Sequence, residues 1–203
     1  MYACGHTCTH EVSHVRMRSR VYACGHACTH PQFKKAYKNI DRIVQRFGLQ
    51  DSRPADTPMD PGFVLKEDDF DEESTKEMIS EMRALIGSIG YCTTSCRFDI
   101  SYAVSVLSRH LARPCPKVID AAKRVIRYLA GTRDFALEWW SSQEEMDSGD
   151  ADTLFGATDA SFTMDSMTRK SHGGFINFIN HGPVSWKSGL QPIVTLSSCK
   201  RSM

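Results

Sequence analysis

Long apolar runs are missing from this 203-residue sequence, since no stretch approaches the roughly 20 residues that span a bilayer. The first ten residues, MYACGHTCTH, lack the apolar core of a signal peptide. An excess of one charge is missing as well, because 25 Lys and Arg face 24 Asp and Glu and the formal net charge is +1. We therefore expect an intracellular chain without a membrane span or membrane partner, and any contact with nucleic acid has to be local.

The eight cysteines are not spread evenly along the chain. Four lie in the first 28 residues, and the others are Cys92, Cys96, Cys115 and Cys199. A small secreted scaffold held by disulfides distributes its cysteines differently, so we expect reduced thiols.

The first 30 residues hold an internal repeat, because YACGHTCTH at 2–10 recurs as YACGHACTH at 22–30. One hypothesis is a zinc-binding module, in which alternate residues of an extended strand place thiolates and imidazoles on one face. Its ligands would be Cys4, His6, Cys8, His10, Cys24, His26, Cys28 and His30. Two other interpretations stay open: tandem GCA-TGC and CAT-GCA-TGC-ACG-CAT codons read through as protein, or a linker of no special chemistry. We assign no metal site here and treat 1–30 as a low-complexity, disordered segment.

Helical periodicity begins at Pro31 and predicts four helices before residue 134. They are marked by Phe33 to Phe47 with Gly48 as the C-terminal cap, Met78 to Ile89, Ile100 to Leu111, and Ala122 to Leu129 with an end at Gly131. The prolines between Asp51 and Asp60 predict a loop, and the acidic stretch Glu67 to Glu73 is predicted to be a solvated linker.

After residue 134 the pattern becomes typical of strands, with aromatic and β-branched residues between turns. We predict strands at Phe135–Trp140, Leu154–Thr158, Gly174–Ile179, Val184–Lys187 and Ile193–Leu196. The acidic segment 144–152 is the predicted connection between the helical region and the β region. The expected fold class is α+β, with a repeat segment at 1–30, a helical region at 31–134 and a β region at 150–203.

Basic charge is concentrated between residues 109 and 133, where seven cations face one carboxylate, Asp120, and leave a local charge of +6. The cations are Arg109, Arg113, Lys117, Lys123, Arg124, Arg127 and Arg133. Such a run can follow a phosphate backbone, but it is more often a solvated helix face.

Four segments carry a family resemblance. Phe98 to Arg109 (FDISYAVSVLSR), Ala121 to Thr132 (AAKRVIRYLAGT) and Pro183 to Ser198 (PVSWKSGLQPIVTLSS) resemble the C-terminal part of copia-type retrotransposon Pol polyproteins. Arg46 to Asp60 (RFGLQDSRPADTPMD) resembles the segment that follows the polymerase palm, so the resemblance covers about residues 31–198 in order.

This resemblance implies that the helical region is the thumb and connection of a reverse transcriptase, and that the β region opens a ribonuclease H domain. A polymerase thumb lies along the primer–template duplex. The resemblance therefore implies weak contact with an RNA–DNA or DNA duplex through Lys123, Arg124 and Arg127, and it names no protein partner.

The resemblance also places Asp159, within ATDASF at 157–162, at the first catalytic carboxylate of ribonuclease H. The intact family uses two Mg²⁺ ions about 4 Å apart, which several carboxylates hold against their mutual repulsion. The family's Tyr-x-Asp-Asp polymerase turn does not appear in this sequence, and the helix with the second carboxylate does not follow Ser198. We therefore expect Asp159 to be a vestigial, inactive catalytic residue and the chain to hold no cofactor.

The last five residues, Cys199 to Met203, fit a frameshift hypothesis. Loss of one G from TGC GAA GCG GAG TAT GTA GCG gives TGC AAG CGG AGT ATG TAG, which encodes Cys-Lys-Arg-Ser-Met and a stop. The main interpretation is thus an inactive relic of the retroelement, with at most weak nucleic-acid binding. The alternatives are a host- or pathogen-recruited binding or effector protein, and the zinc-binding module.

We also expect the β region to be poorly folded when residues 134–203 are expressed alone, because a ribonuclease H-like sheet needs helices on its faces. The apolar side chains expected to stay in water are Phe175, Phe178, Val184, Trp186, Ile193 and Leu196.

Overall fold

The computed structural model describes residues 9–12, 15–18, 31–70, 73–137, 153–161, 170–179 and 182–192. The helices are α1 (Pro31–Arg46), α2 (Lys76–Ser95), α3 (Ser101–Ser108) and α4 (Pro116–Gly131). The strands are β1 (Thr9–Val12), β2 (Val15–Arg18), β3 (Phe155–Ser161), β4 (His172–Ile179) and β5 (Gly182–Leu190). Short 3-10 helices occupy Glu67–Phe70 and Phe98–Ile100. This order confirms the predicted α+β class.

Helix α1 ends as its sequence predicts, at a glycine in the left-handed region. Gly48 has a φ of 64°. Its N–H bonds to the carbonyl of Gln45, and the N–H of Leu49 bonds to the carbonyl of Val44 at 3.0 Å. These two bonds satisfy carbonyls that the helix end would otherwise leave unpaired, so the chain turns sharply into the 51–60 loop.

The ends of α2 and α4 are also set by local chemistry. Thr75 caps α2, since its side chain accepts a bond of 3.2 Å from the N–H of Met78. Pro116 begins α4, where a missing N–H costs nothing. A Cβ added at Gly131 would lie 2.9 Å from Cβ of Pro54, so glycine lets the 51–60 loop pack against the end of α4.

The helices enclose one hydrophobic core, to which α1, α2, α3 and α4 all contribute buried side chains. Its fully buried members with the largest side chains include Ile40, Met82, Leu85, Ile89, Ile100, Leu107, Val118, Val125, Ile126 and Leu129. We call residues 31–70 and 73–137 the helical unit. Three of its cysteines, Cys92, Cys96 and Cys115, are buried free thiols.

The strands β3, β4 and β5 form an antiparallel sheet in that order. Asp159 on β3 lies opposite Gly174, and Ile176 on β4 lies opposite Trp186 on β5. The pairing of β4 with β5 contains a register shift between Asn177 and Phe178. Opposite residues of an antiparallel pair share a face, which places Asp159 and Trp186 on the same side of the sheet.

That side of the sheet contacts the helical unit. Trp186 donates a 2.9 Å hydrogen bond from Nε1 to the backbone carbonyl of Thr93, near the end of α2. Its ring lies 5.9 Å from that of Phe98, measured between centroids, and the ring of Tyr102 meets that of His172 edge-on at 4.9 Å. The sheet therefore packs on the α2–α3 corner.

Three expectations from the sequence are wrong in the described residues. Phe135 to Leu137 do not form a strand, because Phe135 packs its ring against a buried arginine. The acidic linker is a 3-10 helix at Glu67–Phe70, since Phe70 is buried in the core.

The third concerns the apolar set expected in water. Phe178 is only 8% exposed and stacks on Phe155, and Trp186 is half-buried against the helical unit, whereas Phe175 and Val184 are exposed as expected. Residues 138–140 and 193–196, where strands were also predicted, lie outside the described residues.

Within the repeat segment, β1 and β2 form an antiparallel hairpin with Thr9 opposite Arg18 and Val12 opposite Val15. The other predicted zinc ligands lie outside the described residues, and only the backbone is described at His10. The predicted boundaries at 1–30, 31–134 and 150–203 stay predictions. No helix in the described ranges has the length and apolar character needed to cross a membrane.

Candidate functional site

The basic residues of α4 bind acceptors of this same chain. Lys123 pairs with Glu81 on α2 at 2.8 Å between Nζ and Oε1. Arg124 donates to the carbonyl and hydroxyl oxygens of Thr57 at 3.2 and 3.0 Å, and its Nη1 lies 3.9 Å from Asp60. Two of the three cations predicted to contact a duplex thus hold α4 against its neighbours.

The start of α4 is tied to the 64–70 segment in the same way. Lys117 donates to the carbonyl of Val64 at 2.7 Å and to the carboxylate of Asp69 at 2.9 Å. Arg113, just before α4, donates to the carbonyl of Phe70. The backbone N–H of Lys66 and then the Lys117 ammonium lower the pKa of Asp69 below its ordinary value. Most of the cations between residues 109 and 133 therefore bind groups of this chain.

Arg127 differs from Lys123 and Arg124. It lies one helical turn further along α4 and is half-buried. The Nε atom of Arg127 is buried, and this atom has no hydrogen-bond partner among the described residues. Of the three predicted contact residues, it is the one with a buried donor that no described residue satisfies.

Arg97 is the most deeply buried charge in the described residues, at 0% exposure. It forms two hydrogen bonds to Asp99, of 3.1 Å from Nε and 2.7 Å from Nη2. It also donates to the carbonyl of Thr132 at 2.9 Å and to its hydroxyl at 2.6 Å. The rings of Tyr128 and Phe135 each lie 5.5 Å from its guanidinium carbon. This network joins the end of α2 to the end of α4.

The electrostatics of this network favour a fixed ion pair. Burial opposes the charged form of Arg97, but the Asp99 carboxylate raises the pKa of Arg97 above its ordinary value. Burial, and then Asp99, also raise the pKa of Tyr128. Burial raises the pKa of the Cys96 thiol to about 11, which keeps it protonated and unreactive at neutral pH. Four hydrogen bonds to Asp99 and Thr132 hold the buried guanidinium, so its role is structural.

Asp159 lies on the first strand of the sheet, and its side chain is exposed. Its neighbour across the pairing is Gly174, which has no side chain. No group of three or more His, Cys, Asp or Glu in the described ranges is placed to hold a metal ion. A pair of divalent ions needs several carboxylates, and these ranges place no such group at Asp159.

Sequence reasoning missed two cations on α1. Lys38 and Arg42 are exposed, and neither forms an ion pair or hydrogen bond in the described part of the chain. Their spacing of four residues places them on one helix face, which Arg46 continues, donating to Ser88 at 3.4 Å. The spacing was visible in the sequence, but a count of net charge pointed to α4.

Arg97 was missed for another reason. It stands one residue before the quoted segment Phe98 to Arg109, and a single arginine carries no pattern that separates a buried ion pair from a surface charge. Its partners Asp99 and Thr132 are 2 and 35 residues away in sequence.

The chain resembles two plant polyproteins over most of its own length. It is 32% identical over 165 residues to the retrovirus-related Pol polyprotein from transposon TNT 1-94 of Nicotiana tabacum, which covers 79% of this chain. It is 31% identical over 156 residues to the Pol polyprotein from transposon RE1 of Arabidopsis thaliana, which covers 77%. It spans only 12% and 10% of these two relatives.

A shorter relative is matched over most of that relative's own length. The chain is 39% identical over 113 residues to the secreted RxLR effector protein 161 of Plasmopara viticola, which is 56% of this chain and 75% of the relative. No family model matches the chain. No solved structure matches it either.

Proposed function

This chain belongs to the family of retrotransposon Pol polyproteins, and we propose that it is a noncatalytic relic of that family with at most weak binding to a nucleic-acid duplex. The observation that carries the proposal is the setting of Asp159. Its carboxylate lies exposed on β3 opposite a glycine, and the described residues contain no group of three or more His, Cys, Asp or Glu placed to hold a pair of Mg²⁺ ions.

A cleavage assay tests the noncatalytic part. The purified full chain is incubated with an RNA–DNA hybrid in Mg²⁺ or Mn²⁺, beside the Asp159→Asn variant and an active ribonuclease H as a positive control. We expect no cleavage by either form of the chain. Metal-dependent cleavage that disappears in Asp159→Asn would show that the site is complete and the proposal wrong.

The weakness of duplex binding follows from the contacts of α4. Phosphates would have to replace Glu81 at Lys123 and the oxygens of Thr57 at Arg124, so part of the interaction energy is already used inside the protein. What is gained comes from phosphate contacts, which carry no base readout and weaken steeply with salt.

Binding is measured by fluorescence anisotropy with a labelled duplex over a salt series. We expect low affinity that falls with salt, and a further loss when Lys123, Arg124 and Arg127 are all replaced by Ala. The matched variant Lys38→Ala/Arg42→Ala removes two cations whose side chains have no partner among the described residues, and it reports the contribution of α1 separately. Binding at low salt, roughly 50 mM, that the α4 variant leaves unchanged would rule out α4 as the contact surface.

A second candidate function, a recruited binding or effector protein, is favoured by one observation: the 39% identity to a relative named as a secreted effector. Transcript levels separate it from a relic. Regulated expression under changing conditions favours recruitment, and a silent gene favours the relic.

A further inference from the structure

The two edge strands of the described sheet differ in how they are protected against pairing. The β5 edge carries Pro183, which has no N–H to donate, and Lys187. The pairing behind it is also interrupted by the shift at Asn177/Phe178. Proline, lysine and irregular pairing are the devices by which proteins prevent strands from joining at an edge.

The β3 edge carries no proline, no lysine and no irregular pairing, and its one charged side chain is Asp159. From Phe155 to Ser161 its sequence is FGATDAS, with no proline, lysine or arginine, and its pairing with β4 is continuous. Every side chain from Thr153 to Asp159 is exposed. In the described ranges no strand pairs with the outer side of β3. A strand of this kind presents backbone donors and acceptors that can template a further strand.

The helical unit leaves room beside this edge. Its contacts with the sheet are made through His172 on β4 and Trp186 on β5, where Tyr102 and Thr93 lie. The side chains of Phe155, Ala157 and Asp159 on β3 stay exposed on the same face of the sheet. An added strand beside β3 would therefore lie away from the α2–α3 corner.

We propose that the outer edge of β3 pairs antiparallel with the same edge of a second copy of this chain, joining two sheets into one of six strands about a two-fold axis. A second copy supplies what the edge needs, which is another unprotected strand of matching length. The formal net charge of +1 means that two copies repel each other little. A two-fold interface uses the same patch on both partners, so one strand is enough to build it.

The charge of β3 selects the register of this pairing. Asp159 is the only charged residue of the strand. A pairing centred on Asp159 would place two carboxylates directly opposite each other, which is destabilising. A pairing centred on Thr158 instead places Thr158 opposite the partner's Thr158, and Ala157 opposite the partner's Asp159. The register centred on Thr158 therefore avoids the like-charge contact and forms a favourable Thr–Thr pair.

Sedimentation equilibrium of the full chain over a concentration series tests the proposal. We expect a monomer–dimer equilibrium. Ala157→Asp should weaken the dimer, because each dimer then contains two contacts between a new carboxylate and the partner's Asp159. Ala157→Lys should strengthen the dimer, because the same two contacts then join opposite charges. Two such pairs change the dissociation constant by roughly two- to thirtyfold in each direction. A misfolding effect would move both variants the same way.

Ser185→Asp and Ser185→Lys make the same charge changes at the exposed edge strand β5 and are the matched controls, expected to leave the equilibrium unchanged. A chain that stays monomeric at its highest soluble concentration would overturn the proposal. So would a dimer that ignores the charge at residue 157, or one that responds equally to residue 185, since another surface or another register would then hold the copies together.

Discussion

The helical unit and the sheet bury their apolar side chains to different extents. Among the described residues, all the buried hydrophobic side chains belong to the helical unit except Phe178. The helical unit exposes Val64, Tyr91 and Tyr102, but these are few beside its buried core. The sheet, with the residue that precedes β3, exposes four large apolar side chains and buries one. They are Leu154 at 62%, Phe155 at 49%, Val184 at 44% and Phe175 at 39%.

The difference has a simple physical origin. Four helices with one apolar face each can turn those faces toward a common centre and remove them from water. A three-stranded sheet has two faces, and the α2–α3 corner covers part of one of them. The comparison indicates that the stability of this chain is concentrated in the helical unit, and that the sheet depends on a few contacts with it.

Two matched truncations should separate the helical unit from the sheet most strongly. Leu85→Ala creates a cavity at a site that is 0% exposed and should cost about 2–5 kcal/mol of the free energy of unfolding. Phe175→Ala removes a larger side chain that is 39% exposed and should change it by only about 0.5 kcal/mol. Chemical denaturation of the full chain, followed by far-UV circular dichroism, measures both. Equal losses would contradict the view that the core lies in the helices.

A smaller effect tests the connection between the two regions. Trp186→Phe keeps an aromatic ring near Phe98 but removes the N–H that bonds to the carbonyl of Thr93, which should cost about 0.5–1.5 kcal/mol. Amide hydrogen exchange should become faster in β4 and β5 and stay the same in α4. The exposed neighbour Lys187 provides the control variant Lys187→Ala. Faster exchange throughout the helical unit would mean that the two regions unfold together.

The smallest effect concerns the acidic segment that packs beside α4. The pKa of Asp69 is lowered from 3.8 by the N–H of Lys66 and the ammonium of Lys117. A lowered pKa contributes stability above the unfolded value, and this contribution is lost as the pH falls from about 3.8 through the folded value. The wild-type chain should therefore lose more stability on acidification than Asp69→Asn. Thermal melts across an acid series, with the exposed Asp56→Asn as control, measure the difference, and identical curves would contradict it.

Local patterns allowed the helices to be predicted from the sequence. Pro31 and Pro116 mark helix starts, and Gly48 and Gly131 mark ends, because these residues act through backbone geometry within one turn. Three strands were predicted for the same reason, since alternation over a few residues is a local property. The instability of residues 134–203 alone stays a prediction, and the dependence of Trp186 on Thr93 gives it a further reason.

The errors share a physical cause, which is contact between residues that are distant in sequence. Phe135 reads as a strand residue by its neighbours, but Arg97, 38 positions earlier, provides its packing surface. Phe70 lies in an acidic run, yet its side chain is buried in the core of the helical unit. Asp159 was found through a family motif, while the absence of a larger ligand group around it in the described residues became visible only in the fold.

Periodicity and contiguous motifs in the sequence were therefore enough to predict the α+β class, the four helices, the ends of α1 and α4, three sheet strands and the family. The tertiary structure alone decided how the charges are used. Lys123 and Arg124 appear as free cations in a charge count, but the folded chain brings Glu81 and Thr57 to them from 42 and 67 positions away. Since ion pairs and hydrogen bonds act over a few ångströms in space, no count along the chain could have shown which cations were already bound.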